Sequence, residues 1–387
     1  MADSEFRTGN RLKLLRSGAE YFPALLAAIA SARHFVHLET YIFADDAAGR
    51  MIARALMDAA ASGVRTRVIV DGFGSKRYFG SLRERLLNAG VELLIYRPDL
   101  TPWNLKRSRL RRLHRKIAVI DGAVGFVGGI NIIDDMNTPG HTPPRHDYAV
   151  RVEGPLLEPL TEEADRLWRL VAWANFRQRW MGDTRHTGDY SVKGTQRAAL
   201  VVRDNLHHRS DIEDAYLAAI EAAREEIILA CAYFFPGVRF RHALMNAAAR
   251  GVRVILLLQG RVEYALLHYA SRALYGALLD ARVQIVEYRK SFLHAKVAVI
   301  DGRWATVGSS NIDPFSLLLA REANIVVDDE TFARELRDSL IEHMREGAAP
   351  VEREHWHKQP LMTRVRIWIA YGIARFLIGW FGYGGKH

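Results

Sequence analysis

"LHRKIAVIDGAVGFVGGINI" occupies residues 113–132, and "LHAKVAVIDGRWATVGSSNI" occupies residues 293–312. The two stretches keep the same polar residues in register although many of their other positions differ. The matched pairs are His114 and His294, Lys116 and Lys296, Asp121 and Asp301, and Asn131 and Asn311. A repeat of this kind indicates that the chain contains two copies of one structural unit.

The repeat extends well beyond these two stretches. Residues 26–43 are echoed by residues 217–235 with one inserted residue, and residues 53–70 are echoed by residues 241–258. Each half therefore reads helix, apolar strand, helix, apolar strand, variable segment, strand, turn, strand. Because helices alternate with short, nearly continuously apolar strands, the pattern predicts an α/β fold in each half.

The length of 387 residues suits two domains of ordinary size. The polar, glycine-bearing stretch "MGDTRHTGDYSVKGTQ" at residues 181–196 is the preferred boundary between them. We therefore expect one domain at residues 1–190, a second at residues 191–350, and a tail at residues 351–387.

The tail combines aromatic and basic residues in "RVRIWIAYGIARFLIGWFGYGGKH" at residues 364–387, where Arg375 interrupts the apolar run. This composition is typical of a helix that lies at a membrane interface. Docking of the tail on the domain or on a second subunit is the alternative.

The formal net charge of +10 favours anionic partners such as nucleic acid, an acidic lipid surface or a phosphorylated substrate. The single cysteine, Cys231, excludes an intramolecular disulfide and a cysteine-based zinc site. The first residues contain no apolar core of a signal peptide, and no N-terminal membrane span is expected.

The duplicated stretch carries residues suited to phosphate chemistry. On a strand, His114 and Lys116 share one face, as do His294 and Lys296. Imidazole can act as nucleophile or as acid and base, ammonium neutralises anionic oxygens, and a carboxamide donates hydrogen bonds. A single pair of this kind would suit a structural role, but its duplication predicts that the two copies face each other and form one site.

Two further expectations follow from the same stretch. The small residues before each Asn are expected to let the backbone approach a ligand closely. The set lacks carboxylate or thiol ligands at metal spacing, so it implies no metal and no cofactor.

The pattern His-x-Lys-x-x-x-x-Asp, followed by Gly-Gly or Gly-Ser and Asn, resembles the signature of the phospholipase D (PLD) superfamily. The resemblance covers about residues 20–349. Further stretches resemble the bacterial cardiolipin synthases of the shorter type without N-terminal transmembrane helices: "ETYIFADDAAGR" (39–50), "GGINI" (128–132), "DYAVRVEGP" (147–155) and "AYFFPG" (232–237). The resemblance implies two α/β/α sandwich domains related by a pseudo-two-fold axis, with the active site at their interface.

The resemblance also implies a metal-free, two-step transphosphatidylation through a covalent phosphatidyl-histidine. Family precedent makes His114 the candidate nucleophile and His294 the candidate acid and base, although the repeat makes them formally equivalent. The non-bridging phosphate oxygens would be held by Lys116, Lys296, Asn131 and Asn311. Asp121 and Asp301 complete the candidate catalytic motif, and we interpret them as turn residues that orient the fold.

Each histidine needs a hydrogen-bond acceptor on its far ring nitrogen. In the second half the resemblance places this carboxylate at Glu322, 28 residues after His294. In the first half, aligning "RHDYAV" (145–150) with "REANIV" (321–326) puts His146 opposite Glu322 and Asp147 one residue further on. We favour Asp147, because a carboxylate does not titrate near neutrality, but strand parity then requires a local bulge.

Two segments bear on the choice of substrate. "WNLKRSRLRRLHRK" (103–116) contains seven Lys or Arg residues, which form either a solvated loop or an electropositive rim that attracts anionic headgroups or nucleic acid. "VEYALLHYASRALYGALL" (262–279) has apolar residues at helical spacing. That helix could line an acyl-chain groove, contact a bilayer or belong to the core.

The predicted function is that of a cardiolipin synthase, which joins two phosphatidylglycerol molecules and releases glycerol. Its partners are then phosphatidylglycerol, other anionic phospholipids and the membrane surface, with no nucleic acid expected and the oligomeric state open. The expected location is peripheral, on the cytoplasmic face of the bacterial inner membrane. The alternatives are a phospholipase D hydrolase or another transphosphatidylase, and a nuclease-type phosphodiesterase. A site that only binds is disfavoured, because neither copy has lost His, Lys or Asn.

Overall fold

The computed structural model describes residues 6–77, 79–97, 111–181, 188–204, 208–262, 265–313, 316 and 319–380. Strands of the first half are β1 (Arg7–Arg16), β2 (Phe35–Thr40), β3 (Arg65–Asp71), β4 (Glu92–Tyr96), β5 (Arg112–Leu113), β6 (Lys116–Ile120), β7 (Val124–Gly128), β8 (Arg145–His146) and β9 (Tyr148–Glu153). Strands of the second half are β10 (Gln196–Arg203), β11 (Glu226–Cys231), β12 (Arg253–Gln259), β13 (Gln284–Tyr288), β14 (Phe292–Leu293), β15 (Lys296–Ile300), β16 (Trp304–Gly308), β17 (Ala320–Asp328) and β18 (Ala348–Pro350).

Helices cover both faces of the strands. They are α1 (Ser17–Ala30), α2 (Ala47–Ala61), α3 (Leu82–Asn88), α4 (Leu157–Ala174), α5 (Asp211–Ala222), α6 (Val238–Ala249), α7 (Ala265–Arg272), α8 (Tyr275–Asp280), α9 (Glu330–Gly347), α10 (Arg353–His357) and α11 (Leu361–Trp380). Residues of α1 to α3 pack in one apolar cluster on the first half, and residues of α5 to α8 pack in a matching cluster on the second half. A central cluster draws side chains from both halves, including those of α4 and α9. The α/β architecture predicted from the sequence is confirmed.

Within the described part of the chain, β8 and β14 pair with each other, and all other strands join into a sheet that runs through both halves. Its order is β18-β13-β12-β11-β15-β16-β17-β10-β1-β9-β7-β6-β2-β3-β4, with β5 added to β17. The order reads almost the same from each end, because β4-β3-β2-β6-β7-β9-β1 mirrors β13-β12-β11-β15-β16-β17-β10. The halves meet where β1 pairs antiparallel with β10. The duplicated sequence is therefore expressed as a pseudo-two-fold arrangement of strands.

The two Asp-Gly pairs form the turns of matching hairpins, β6–β7 and β15–β16. Asp121 and Asp301 have φ of 52° and 49°, and the glycines that follow them have φ of 59° and 61°. Positive φ at both central residues is the geometry of a tight hairpin turn that Asp-Gly favours. The Asp121 carboxylate also accepts hydrogen bonds from the backbone N–H groups of residues 33–35, at 2.7–2.8 Å. Asp301 does the same for residues 224–226, so each aspartate ties its turn to the start of a neighbouring strand.

One buried ionic cluster is present in the first half and replaced by apolar residues in the second. Arg115 is 1% exposed, and its guanidinium lies 2.5 Å from a carboxylate oxygen of Glu39 and 2.5 Å from one of Glu163. Burial opposes ionisation of Glu39, but Arg115 and a hydrogen bond from the His37 ring outweigh it and hold the pKa of Glu39 at about 2. In the second half, Ala295 and Ala230 take the positions of Arg115 and Glu39. The same arrangement of strands thus accommodates an ionic cluster in one half and apolar residues in the other.

We expect Arg115→Ala to lower the free energy of unfolding by about 3–5 kcal/mol, because it leaves Glu39 and Glu163 buried without a cation. The double variant Arg115→Ala/Glu39→Ala should recover part of this loss. Urea denaturation measures both effects. The control is Arg303→Ala, which removes an ion pair on a side chain that is 65% exposed and should lower the free energy of unfolding far less. An equal cost for Arg115→Ala and the control would contradict the expectation.

Candidate active site

Two short ladders carry the histidines to the interface between the halves. Strand β5 pairs in parallel with β17 of the other half, and β14 pairs in parallel with β8. The backbone N–H of His114 then donates to the carbonyl of Arg321 at 3.0 Å, and that of His294 donates to the carbonyl of His146 at 2.8 Å. Each histidine therefore directly follows a strand that is paired with the opposite half.

Each imidazole is hydrogen-bonded to a carboxylate that belongs to the other half. His114 Nδ1 lies 3.0 Å and 3.1 Å from the two carboxylate oxygens of Glu322, and His294 Nδ1 lies 2.6 Å from Asp147 Oδ2. An ionised carboxylate can only accept, so Nδ1 must donate and the neutral ring keeps its lone pair on Nε2. The crossing was not predicted, since the sequence suggested one acceptor for each half without showing which histidine it would meet.

The strand register corrects the alignment used for the first half. Gly128 pairs with Ala149, and its counterpart Gly308 pairs with Asn324. Asp147 lies two residues before Ala149, and Glu322 lies two residues before Asn324. Asp147 is therefore the counterpart of Glu322. The alignment that placed His146 opposite Glu322 was therefore wrong by one residue, and strand parity requires no bulge to bring Asp147 into place.

Two buried lysines lie beside the histidines. Lys116 is 3% exposed and Lys296 is 1% exposed, and each Nζ donates to the carbonyl oxygen of the histidine two residues before it. The Lys296 Nζ also lies 3.5 Å from Asp147 Oδ2. Burial, aided by the charge of Lys296 and opposed by that of Glu322, lowers the pKa of Lys116 to about 7. A cation that burial destabilises in this way is stabilised when an anion binds.

The histidines are electrostatically part of the same site. Burial lowers the pKa of His294 to about 3, and the charge of Lys296 contributes to this. Burial also lowers the pKa of His114, with Lys116 and Lys296 acting in the same direction and Glu322 opposing them. Because Lys296 acts on His114, groups from both halves share one electrostatic environment. Both rings are neutral near pH 7 in the empty site, which suits a nucleophile, and a bound phosphate anion would raise the pKa of either ring.

The two asparagines are buried close to the strand ends. Asn131 is 4% exposed, and its carboxamide oxygen accepts a hydrogen bond from the backbone N–H of Ile42 at 3.1 Å. This fixes the amide orientation and leaves the nitrogen as the donor for a ligand. Asn311 is 3% exposed, and its carboxamide oxygen lies 3.9 Å from Cys231 Sγ.

The small residues before each asparagine lie against the carboxylates that bind the histidines. A Cβ on Gly129 would lie 2.3 Å from Asp147 Oδ1. Its counterpart Ser309 donates from Oγ to a carboxylate oxygen of Glu322 at 2.5 Å. These positions therefore make room for the carboxylate or bind it.

The structure does not bring Asp121 and Asp301 to the histidines. They lie at the far ends of β6 and β15, where their carboxylates accept backbone N–H groups. Their place in the candidate catalytic set is corrected to the orienting role that was proposed for the turns.

Sequence reasoning missed Tyr41 and Ser309. The Tyr41 ring centroid lies 5.0 Å from that of His114, in an edge-on arrangement, and 5.6 Å from the Lys116 Nζ. The repeat gave no signal for Tyr41, because the matching bridges of Phe43 to Ile132 and of Phe234 to Ile312 make Ala232 its counterpart in the second half. The signal for Ser309 was its place in "GSSNI", which was interpreted only as a small residue.

Only residues 111–116 of the basic stretch 103–116 are among the described residues. Residues 103–110 lie outside the described residues, and Arg115 belongs to the buried ionic cluster rather than to an electropositive rim. Across the described ranges, no three His, Cys, Asp or Glu side chains come together in a way that could hold a metal ion.

Comparisons with known proteins match both halves. A family model described as cardiolipin synthase, PLD-like domain, matches residues 25–168 and 216–344. The chain is 38% identical to cardiolipin synthase B of Escherichia coli over 379 residues, which covers 97% of this chain and 91% of the relative. It is 33% identical to the cardiolipin synthase of Geobacillus kaustophilus over 374 residues, which covers 94% of this chain and 71% of the relative.

Solved structures share the fold at low sequence identity. Phosphatidylserine synthase from Haemophilus influenzae matches with a TM-score of 0.67 and 13% identity, covering 97% of this chain and 94% of the other. Polyphosphate kinase from Porphyromonas gingivalis matches with a TM-score of 0.58 and 15% identity, covering 96% of this chain and 53% of the other. Together with the two matched family segments, these likenesses confirm the predicted PLD-type fold.

Proposed function

The chain belongs to the PLD-like cardiolipin synthase family and is a phosphatidyltransferase, and we propose that it transfers a phosphatidyl group from one phosphatidylglycerol molecule to another and releases glycerol. The observation that carries the proposal is the crossed pair of hydrogen bonds from His114 to Glu322 and from His294 to Asp147. It joins two imidazoles, one from each half, in a single site.

In the first step, Nε2 of His114 attacks the phosphorus of the donor lipid. The bond from phosphorus to the oxygen of the headgroup glycerol breaks as the P–N bond forms. Nε2 of His294 gives its proton to this leaving oxygen. His294 must therefore be protonated in the complex, although its pKa is about 3 in the empty site. The negative charge of the bound phosphodiester favours that protonation.

In the second step, His294 takes the proton from a hydroxyl of the second phosphatidylglycerol. The hydroxyl oxygen attacks phosphorus, the P–N bond breaks, and the product leaves with His114 free again. One residue acts first as acid and then as base, as reversibility of the step requires.

The other polar residues position and neutralise the reacting groups. Glu322 keeps the proton of His114 on Nδ1, so that Nε2 is the nucleophile. The set that holds the non-bridging phosphate oxygens comprises Lys116, Lys296, Asn131 and Asn311. Their buried positions support this role, because fixed charges and dipoles act more strongly when water is excluded.

Purified full-length protein incubated with phosphatidylglycerol vesicles tests the function directly. The expected products are cardiolipin and free glycerol in equal amounts, resolved by chromatography. Formation of phosphatidate in place of cardiolipin would identify a hydrolase, because water and alcohol compete for the same intermediate. Cleavage of plasmid DNA without any lipid product would identify the nuclease-type alternative.

The C-terminal helix supports a peripheral attachment to the membrane, and we propose the cytoplasmic face of the bacterial inner membrane as its location. One face of α11 docks on the protein through buried Ile367, Ala370 and Ala374. The opposite face exposes large apolar side chains to between 42% and 73%: Leu361, Met362, Val365, Trp368, Ile369, Ile373 and Phe376. No helix in the described ranges has the length and apolarity needed to cross a bilayer. An exposed apolar face flanked by Arg364 and Arg375 suits insertion at the level of the headgroups.

We expect the triple variant Trp368→Ser/Ile369→Ser/Phe376→Ser to weaken partitioning onto phosphatidylglycerol vesicles by at least about 100-fold, because three apolar side chains no longer leave water. Vesicle flotation measures the partitioning. The matched control is Phe176→Ser, which changes a side chain that is 91% exposed outside this helix. Unchanged flotation of the triple variant would remove the anchoring proposal and leave the catalytic one standing.

A further inference from the structure

The ends of β3 and β12 differ in one buried polar residue. In the first half, Asp71 accepts hydrogen bonds from the backbone N–H groups of Phe73, Gly74 and Leu113, each at 2.9 Å. Its counterpart Gln259 is 6% exposed, and neither its Oε1 nor its Nε2 has a hydrogen-bond partner among the described residues. An unsatisfied buried carboxamide is costly, so it calls for a reason other than stability.

Gln259 lines a pocket that lies between the loop after β11, the end of β12 and helices α7 and α8. The pocket contains about 460 Å³ of empty space including its open mouth, of which about 30 Å³ can hold the centres of water molecules. Polar and aromatic side chains share the lining with Gln259: Tyr233, Phe235, Arg261, His268, Ser271 and Tyr275. Burial lowers the pKa of His268 to about 4, so its imidazole is neutral near pH 7. The Arg261 guanidinium in the lining donates to the Arg289 carbonyl and to Thr142 Oγ1, and the other donors and acceptors are uncharged. A narrow pocket of this kind suits a slim hydroxylated group better than an acyl chain.

The pocket adjoins the candidate active site on the side of His294. Ala232 lines the pocket, and its backbone N–H donates to the carbonyl of Ala295, the residue after His294, at 3.0 Å. In the sheet, Leu258 pairs with Cys231, which pairs with Lys296. Two strand spacings therefore separate the pocket wall from Lys296, a distance of about 10 Å.

We propose that this pocket, with Gln259 in its wall, binds the glycerol headgroup of phosphatidylglycerol, both as the leaving alcohol and as the incoming one. The inference rests on the proposed function, in which both alcohols exchange their proton with His294. A carboxamide offers one donor group and one acceptor to a pair of neighbouring hydroxyls. The first half offers no such group, because the Asp71 carboxylate accepts hydrogen bonds from backbone N–H groups. The alcohol is therefore bound only on the His294 side of the pseudo-symmetric site.

The test is a competition between alcohols, in which Gln259→Met removes the donor and the acceptor at similar volume. Phosphatidylglycerol vesicles are incubated with equal concentrations of isotopically labelled glycerol and 1-propanol, and labelled phosphatidylglycerol and phosphatidylpropanol are measured. We expect Gln259→Met to lower the preference for glycerol at least about tenfold, because both hydrogen bonds between the carboxamide and the alcohol are lost. The ratio of transfer to 1-propanol over hydrolysis by water should be unchanged, because both reactions share the first step and neither acceptor uses Gln259.

Thermal unfolding of the same variant separates binding from structure. Because Gln259 has no partner in the empty pocket, Gln259→Met should unfold at the same temperature as the original protein or a higher one. The matched control is Gln284→Met at the exposed start of β13, which should leave the alcohol preference as it was.

The possible negative results lead to different conclusions about the pocket and about the proposed function. An unchanged preference for glycerol in Gln259→Met overturns the headgroup pocket, also when hydrolysis and both transfers fall by the same factor. A lowered unfolding temperature overturns it too, because it would assign Gln259 to the fold. Absence of transfer to any alcohol by the original protein would instead refute the proposed function.

Discussion

Replacement of either His114 or His294 by Ala is expected to abolish phosphatidyl transfer, with a rate loss of at least about 10⁴-fold for each variant. The losses should be similarly large, because nucleophile and acid–base act as one unit in both steps. A protein with two independent sites would keep roughly half its activity in each single variant. The comparison therefore tests whether the halves share one site. Near-normal turnover by either variant would exclude the shared site.

Rapid quench into mildly alkaline denaturant distinguishes the two roles, with phosphatidylglycerol that carries the label in its phosphate, because the P–N bond of a phosphatidyl-histidine is labile in acid. Label should be absent from the His114→Ala protein and detectable on His294→Ala, in which the nucleophile remains. The reverse pattern would exchange the assignments without removing the mechanism. The control is His242→Ala, which changes an exposed histidine on α6 and should turn over normally.

The second large effect is expected from the carboxylates that contact the histidines across the interface. Glu322→Gln and Asp147→Asn should each slow transfer by about 10³-fold, because an amide does not hold the Nδ1 proton or stabilise a protonated ring as a carboxylate does. Burial alone would raise the pKa of Asp147, but Lys296 and the hydrogen bond from His294 outweigh it and hold that pKa below its usual value. Asp147 therefore stays ionised across the working pH range.

The crossing itself can be checked by NMR of protein labelled with ¹⁵N at histidine. Glu322→Gln should shift the ring signals of His114 and leave those of His294 nearly unchanged, and Asp147→Asn should do the opposite. A conservative control is Glu342→Gln on α9, outside this contact, which should move neither pair strongly. Signals that respond within the same half would contradict the geometry of the site.

The repeat predicted much of the fold from sequence, because both copies show the same order of apolar strands and helices. The hairpin turns at Asp121 and Asp301 were also predictable, since Asp-Gly carries its own backbone preference. The sequence did not reveal which histidine meets which carboxylate. That pairing depends on the strands Arg112–Leu113 and Phe292–Leu293, which are too short to show any periodicity and whose partners lie far away in the chain.

The misplacement of His146 has an equally physical origin. "RHDYAV" and "REANIV" share Arg at the start and Val at the end, so matching letters favour an alignment without a gap. The hydrogen-bond register of the strands requires a shift of one residue instead. The unsatisfied carboxamide of Gln259 was likewise invisible in the sequence, because a lack of partners is a property of packing and not of residue type.

The exchange of carboxylates between the copies has a consequence for ancestry. A polypeptide with a single copy would carry both an imidazole and a carboxylate, but its carboxylate would contact only the imidazole of a second copy. Such a polypeptide could therefore act only as a pair of identical molecules. When the two copies are fused in one chain, their sequences can change independently of each other. Glutamate can then stand where the other copy has aspartate, alanine where it has arginine, and glutamine where it has aspartate. A protein of identical subunits could not differentiate its two sides in this way.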